Sequence, residues 1–454
     1  MKIKILFYLT LLASGLIFTG CQKDPEIMVT AASDPQDLKA GAGTIKIAIL
    51  SDIHVMDPSL LADPTAYWGV PFQTYLAADP KLLGESVAIL TQAIAQVNRD
   101  KPDLLLITGD LTKDGEAQSH RKAVNMLGSM LDPKIKVLVI PGNHDLNNPN
   151  AKKFYTTYTK SVPTYTSENF AFVYEDFGFK DAIARDPNSL SYVSEPYKNL
   201  RVIAIDACQY GEFGKPYSGA GMISEETMAW IQEQMEDAVS KHMQVIAMMH
   251  HMLLPHYQGQ ELIDPGFVLN DWETRSTQLM NMGLNVIFTG HYHANDIVVK
   301  KSGGKFVYDI GTGSTVSSPL PYRLVKYQNN GKIEVTTKYV TGISFNNTPV
   351  QDYARQFLAP RLVNIFYYML SSPPYNLTPD LAAQGAPLCK NGFMAHYAGD
   401  EYLTPNEQEA IMSFWNNIPD SNTYKFFILQ TLMTWWSDLT PADNYYYCDL
   451  TTGK

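Results

Sequence analysis

Apolar runs and amphipathic stretches alternate along the first two thirds of the chain. Residues 45–50 form an apolar run that stops at Ser51-Asp52, and 85–98 carry apolar residues at helical spacing. A second apolar run, 103–108, stops at Gly109-Asp110. Residues 119–131 predict a helix, and 136–140 a strand that stops at Pro141-Gly142-Asn143. The order is βαβαβ, which predicts a largely parallel sheet with helices on its faces. The rhythm returns later as a strand at 200–205, a helix at 224–239 opened by Ser224-Glu225-Glu226, and strands at 244–249 and 285–289. Residues 305–310 and 322–327 add β-like runs.

Two stretches interrupt the pattern. Residues 55–81, with Tyr67, Trp68, Phe72 and Tyr75, and residues 147–199, rich in Tyr, Ser and Asn, are long loops after strand ends. Such loops are candidate substrate walls, while packing over the sheet edge is the expectation for any single aromatic. After about Gly342 the character changes. Residues 353–370, 406–417 and 422–436 predict helices separated by Pro-rich turns such as Ser372-Pro373-Pro374, with Trp415, Trp435 and Trp436 as helix-packing core. The expected division is an export signal at 1–20, a tether at 21–42, an α/β domain at 43–342 and a separate helical C-terminal domain at 343–454.

The chain has 454 residues, 45% of them hydrophobic and 18% charged, ordinary values for a protein with a sizeable core. Its formal charge of −11 argues against a nucleic-acid-binding surface. An anionic substrate stays open, because bound metal ions would reverse the local field. Lys2 and Lys4 precede an apolar run, 5–18, and then Thr19-Gly20-Cys21, the layout of an export signal. Cys21 resembles the lipidated cysteine of bacterial lipoproteins, with Phe18 where Leu is usual; an ordinary secretory peptide is the alternative. An exported, lipid-anchored protein of the periplasm or cell surface is the expectation, with no other membrane contact. Of the remaining cysteines, Cys389 and Cys448 are the natural disulfide pair, and Cys208 is expected as a buried thiol.

Candidate chemistry sits where the apolar runs end. In an open α/β sheet those ends share one edge, so blocks far apart in sequence converge there. The collected side chains are two Asp, one Asn and five or six His, drawing on six of the ten histidines in the chain. Mixed imidazole and carboxylate donors suit zinc, iron or manganese better than calcium or magnesium.

The five blocks are Leu50-Ser51-Asp52-Ile53-His54, Thr108-Gly109-Asp110-Leu111-Thr112, Pro141-Gly142-Asn143-His144-Asp145, Met249-His250-His251 and Thr289-Gly290-His291-Tyr292-His293. Together, over about residues 45–325, the chain resembles the calcineurin-like metallophosphoesterase superfamily. The resemblance implies a layered, β-sandwich-like α/β core with flanking helices, beside the mainly α C-terminal domain. It also implies two divalent or trivalent transition-metal ions (Zn, Mn or Fe). Asp52, His54 and His293 would hold one ion, Asn143, His250 and His291 the other, with Asp110 bridging. His251 is the alternative to His250, since neighbours on a strand face opposite ways and only one reaches the metal. His144 would face the substrate as a catalytic group, and Asp145 would orient it or a neighbouring turn. Purple acid phosphatases of this superfamily carry Tyr three residues after the bridging Asp; Lys113 stands there, which argues against a ferric–tyrosinate centre. The implied activity is hydrolysis of a small phosphoester by a metal-bound hydroxide. A phosphodiester is placed ahead of a monoester, and a non-catalytic binding lipoprotein is the third reading. His396, in the polar segment 395–401, is expected as a structural histidine.

Overall fold

A computed structural model describes residues 43–453; the expected export signal, Cys21 and the tether lie outside the described residues. Strands β1 (Thr44–Leu50), β2 (Leu104–Ile107) and β3 (Lys136–Val139) are parallel neighbours, as the opening pattern predicts. The later strands make a second sheet instead of extending the first. It runs through β4 (Ala184–Arg185), β5 (Tyr192–Tyr197), β6 (Leu200–Ile205), β7 (Gln244–Met249), β8 (Val286–Thr289), β9 (Asp296–Ser302) and β10 (Lys305–Gly311), in the spatial order β9-β10-β8-β7-β6-β5-β4. The first sheet is completed by β11 (Pro321–Gln328), β12 (Lys332–Tyr339) and β13 (Tyr445–Asp449), all antiparallel, giving β13-β12-β11-β1-β2-β3. The largely parallel sheet that periodicity predicts is two mixed sheets, the layered α/β core that the family resemblance implies, because β11 pairs back on β1 and carries β12 and β13 outside it.

Side-chain alternation shows why two sheets form. Val202, Ala204, Ile246, Met248, Val286 and Phe288 share one core cluster with β1 and β2. Their strand neighbours Ile203, Ile205, Ala247, Met249 and Ile287 belong to another, with Met228, Ile231 and Met235 of helix Glu225–Ser240. Each central strand is thus apolar on both faces, one against the opposite sheet and one against helices, so its sequence reads as an unbroken apolar run.

The C-terminal segment is helical at Val350–Ser371, Pro379–Ala398, Pro405–Asn417 and Lys425–Thr434. The second of these escapes the sequence pattern because Gly385, Pro387 and Gly392 lower its helix propensity. Packing decides the matter there. Leu362, Phe366, Ala386, Phe414, Leu432 and Trp435 cluster with Met252, Tyr257, Tyr292 and Ala294 from the loops of the second sheet. The segment 343–454 consequently shares an apolar cluster and, through β13, a sheet with residues 43–342, and the described residues make one compact unit. The expected Cys389–Cys448 disulfide is not formed. Cys389 lies in the helical cluster and Cys448 on β13 in the main core, and both are buried free thiols, as is Cys208.

Candidate metal centre

All five blocks meet at the ends of β1, β2, β3, β7 and β8. The chain must turn sharply there, and five of the expected ligands take left-handed backbone: Asp52 (φ 50°), His54 (37°), Asp110 (49°), His291 (74°) and His293 (66°). Such conformations are unfavourable by roughly 1–3 kcal/mol apiece and persist where the surroundings impose them. Two glycines make the crowding possible. A Cβ on Gly142 would lie 2.1 Å from Asp110 Oδ1, and one on Gly290 would lie 2.6 Å from Asp52 Oδ2.

The donors form two adjoining groups, Asp52/His54/His293 and Asp110/His250/His291. Asp110 Oδ2 stands between them, 3.5 Å from His54 Nε2 and 3.4 Å from His250 Nε2. Asn143 Oδ1 lies 3.0 Å from His250 Nε2, which adds it to the second group. The imidazoles are oriented from behind. His54 Nδ1–H donates to the Thr112 carbonyl (3.2 Å), His250 Nδ1–H to Thr108 (2.8 Å) and His291 Nε2–H to Gly266 (3.2 Å). A neutral ring so held presents its other nitrogen as a lone pair. His251, the alternative to His250, turns away and donates Nε2–H to the Gly219 carbonyl at 3.0 Å.

Without a cation this arrangement is repulsive. His54 Nε2 and His293 Nε2 face each other at 3.3 Å, and burial, followed by the nearby Lys81, holds His54 well below the usual histidine range. Burial and the neighbouring His251 and His250 do the same to His291. Asp52 Oδ1, buried, has no hydrogen-bond partner and lies 3.3 Å from His293 Nε2. Converging lone pairs and an orphaned carboxylate oxygen are what two metal ions would satisfy. Asp110 itself is held well below the ordinary carboxylate range: burial pushes it up, but His250, His144 and His54 outweigh that.

His144 is placed differently. Its backbone N–H donates to Asp110 Oδ1 (2.9 Å), and its ring edges toward His54 at 5.0 Å between centroids. Nδ1–H is shared between Asp114 Oδ1 (2.8 Å) and the Lys113 carbonyl (2.9 Å), leaving Nε2 free toward the cavity. Burial and Lys81 lower its proton affinity, but Asp110 and Asp114 prevail and the net shift is upward. The sequence reading misses Asp114. Of the two roles expected for Asp145, orienting His144 or a neighbouring turn, its contacts fit the second: it accepts from the backbone of Leu111 (3.1 Å), Thr112 (2.9 Å) and Gly142 (2.8 Å) and fixes the turn. Asp114 is in turn gripped by the buried Lys113 ammonium and by the Tyr75 hydroxyl (2.9 Å). Lys113 thus points away from the donors, into a pair of carboxylates, Asp114 and Glu116 (3.0 Å).

A cavity of about 530 Å³ opens over Asp110, Asn143, His144, His291 and His293. Asp79 and Lys81, at the end of the first interrupting loop, line it; Tyr67, Trp68, Phe72 and Tyr75 do not. Ser218 to Ala220 form another wall, and none of 147–199 does. The remaining wall includes Tyr397, from the C-terminal helix Pro379–Ala398.

Behind that wall lies a second buried cluster of histidine and carboxylate. His256 Nδ1 is 3.1 Å from Asp296 Oδ1, and its Nε2 is 3.2 Å from Asp309 Oδ2. His396 pairs with Glu401 and lies 3.5 Å from Asp296 Oδ2. Asp309 also accepts the N–H groups of Leu253 (2.7 Å) and Leu254 (2.9 Å).

Among known proteins, the chain is 26% identical over 202 residues to a glycerophosphodiester phosphodiesterase of Enterobacter lignolyticus, covering 44% of this chain and 60% of the relative. It is 30% identical over 183 residues to a probable glycerophosphodiester phosphodiesterase of Arcobacter nitrofigilis, covering 39% and 54%. It is 23% identical over 196 residues to a probable cyclic nucleotide phosphodiesterase of Xenorhabdus bovienii, covering 43% and 63%. The chain thus spans less than two thirds of the length of each of these relatives. The profile of the calcineurin-like phosphoesterase family matches residues 45–295, more than half of the chain and all five blocks, and the protein belongs to that family.

Proposed function

We propose that the protein is a two-metal hydrolase of phosphodiesters. The observation that carries this reading is the position of Asp110 Oδ2, 3.5 Å from His54 Nε2 and 3.4 Å from His250 Nε2, at the junction of two imidazole–carboxylate groups. Asp52, His54 and His293 would hold one ion and Asn143, His250 and His291 the other, with Asp110 shared. When bound, such a pair activates water and clamps phosphoryl oxygens. The chain's own residues do the rest. Asp114 and the Lys113 carbonyl fix the tautomer and direction of His144, so that its Nε2 gives a proton to the leaving alcohol oxygen. Asp145 keeps the turns after β2 and β3 in register, so that Asp110 and Asn143 stay side by side.

Support for a diester over a monoester comes from the relatives, whose names share the phosphodiester and differ in the alcohol. The test is hydrolysis of bis(p-nitrophenyl) phosphate and p-nitrophenyl phosphate by protein loaded with zinc, manganese or iron. A higher kcat/KM on the diester is expected. Preference for the monoester overturns the diester reading, and turnover of neither overturns hydrolysis. The location outside the cytoplasm, on a lipid carried by Cys21, is also proposed, on the sequence of residues 1–21 alone. Mass spectrometry of the mature N-terminus checks it, with a diacylglyceryl cysteine expected at residue 21.

A further inference from the structure

Three tyrosines stand side by side in the wall between the metal centre and the C-terminal helices. Tyr257 and Tyr292 both give their hydroxyls to Asp264, the latter at 2.8 Å. Tyr397 is the exception. Its ring packs on Phe393 (4.5 Å between centroids) and Tyr292 (6.1 Å), and its edge approaches His293 (6.3 Å). Its hydroxyl has no hydrogen-bond partner among the described residues, and the residue lines the cavity over the metal donors. A half-buried tyrosine normally finds a partner for its O–H; ring packing alone would be served by phenylalanine. The Asn295 N–H donates to the Tyr397 carbonyl (3.2 Å), tying this tyrosine to the loop that carries His291 and His293.

A second feature of the same cavity needs explanation. Lys81 is buried, its ammonium 2.9 Å from the half-exposed Asp79 carboxylate. It lines the same cavity as Asp110, His144 and His293. A cation beside a site for metal ions is repelled by them unless an anion sits between. With Asp79 attached, the pair offers N–H donors with no net charge. Such a subsite suits a monoanion, which phosphodiesters are, better than the dianion of a monoester.

We propose that Tyr397 and the Asp79–Lys81 pair are substrate-contacting groups, forming the subsite that receives the oxygens of a monoanionic phosphodiester. Tyr397 O–H and Lys81 Nζ–H donate to the phosphoryl group, and Asp79 keeps the subsite neutral and thereby disfavours monoesters. The C-terminal helices on this account complete the active site. The inference rests on reading the cavity as a phosphoester site.

The test uses the full, metal-loaded protein with the same aryl diester and monoester. Tyr397→Phe removes one oxygen and leaves the packing intact, so thermal stability and metal content should not change. Its kcat/KM on the diester should fall roughly 10- to 100-fold, the usual effect of losing a hydrogen bond to a charged group, and inorganic phosphate should inhibit it more weakly. Asp79→Asn should lower the ratio of diester to monoester kcat/KM several-fold by baring the Lys81 charge. Wild-type kcat/KM in Tyr397→Phe, or an unchanged ratio in Asp79→Asn, overturns the proposal. Wild-type protein inactive on both substrates instead overturns the hydrolase reading on which it rests.

Discussion

Two buried clusters of histidine and carboxylate lie close together in this protein, and they are built on opposite principles. In the metal centre the rings of His54, His250 and His291 are oriented by backbone carbonyls, and imidazole nitrogens left over face one another or a carboxylate already shared. In the second cluster the His256 ring bridges two carboxylates, Asp296 and Asp309, and His396 meets Glu401. The carboxylates hold His256 as an imidazolium: burial pushes it down, but Asp309 and Asp296 raise it to about 10. Protons neutralise the second cluster from within. In the first, burial keeps His54 and His291 neutral; it also pushes His250 down, but Asp110 raises that ring to about 9. The facing nitrogens of His54 and His293 and the unpaired Asp52 Oδ1 are left for a cation from outside. The same residue types therefore make a ligand set or an internal clamp according to what stands behind each ring.

The sharpest way to break this contrast is at Asp110. Asp110→Asn should reduce turnover on the order of 1,000-fold and lower the bound-metal content, with the fold retained. Near-normal turnover would remove the bridging role. His256→Ala should do the reverse, leaving metal content near normal while costing about 3 kcal/mol of stability, the low end for breaking a buried ion pair; urea denaturation measures it. A loss of metal without loss of stability would merge the two clusters into one system. Asp114→Asn, which weakens the hold on His144, should lower kcat roughly 10- to 100-fold with metal content unchanged, as elemental analysis and kinetics together reveal. The smallest effect is on pH dependence. The folded value of about 10 for His256 exceeds the ordinary 6.5, so its contribution to stability is complete below about 6.5 and disappears as pH rises through about 10. Melting temperatures of wild type and His256→Ala should converge across that window.

The convergence of the seven expected donors was legible because each lies in a short contiguous block at a strand end, where one dimension of sequence already implies a meeting point. Four residues were not: Asp79, Lys81 and Tyr397 of the cavity wall, and Asp114 behind His144. Asp114 follows the Asp110 block but looks like part of a turn, and only the fold aims it at His144. Asp79 and Lys81 end a loop whose aromatic residues drew attention to the wrong side chains. Tyr397 sits next to His396, in a segment whose polarity was visible, yet no spacing links it to a block more than a hundred residues away. In the fold, β9 was hidden by the lysines of its outer half, Lys300 and Lys301, and β13 by isolation from any other strand signal. Helix Pro379–Ala398 was hidden by its glycines and Pro387. In each case long-range packing overrode local preference.

Strand β13 has a consequence for how the chain can be cut. It covers the outer side of β12 with ladder bonds from Lys332↔Asp449 to Thr336↔Tyr445. A chain ended anywhere between 343 and 444 would leave β12, an eight-residue strand, as a bare edge. Such an edge is a template for pairing with a second molecule, so truncations that look harmless to the metal donors invite aggregation. The first sheet stays unfinished until Tyr445–Asp449 have left the ribosome.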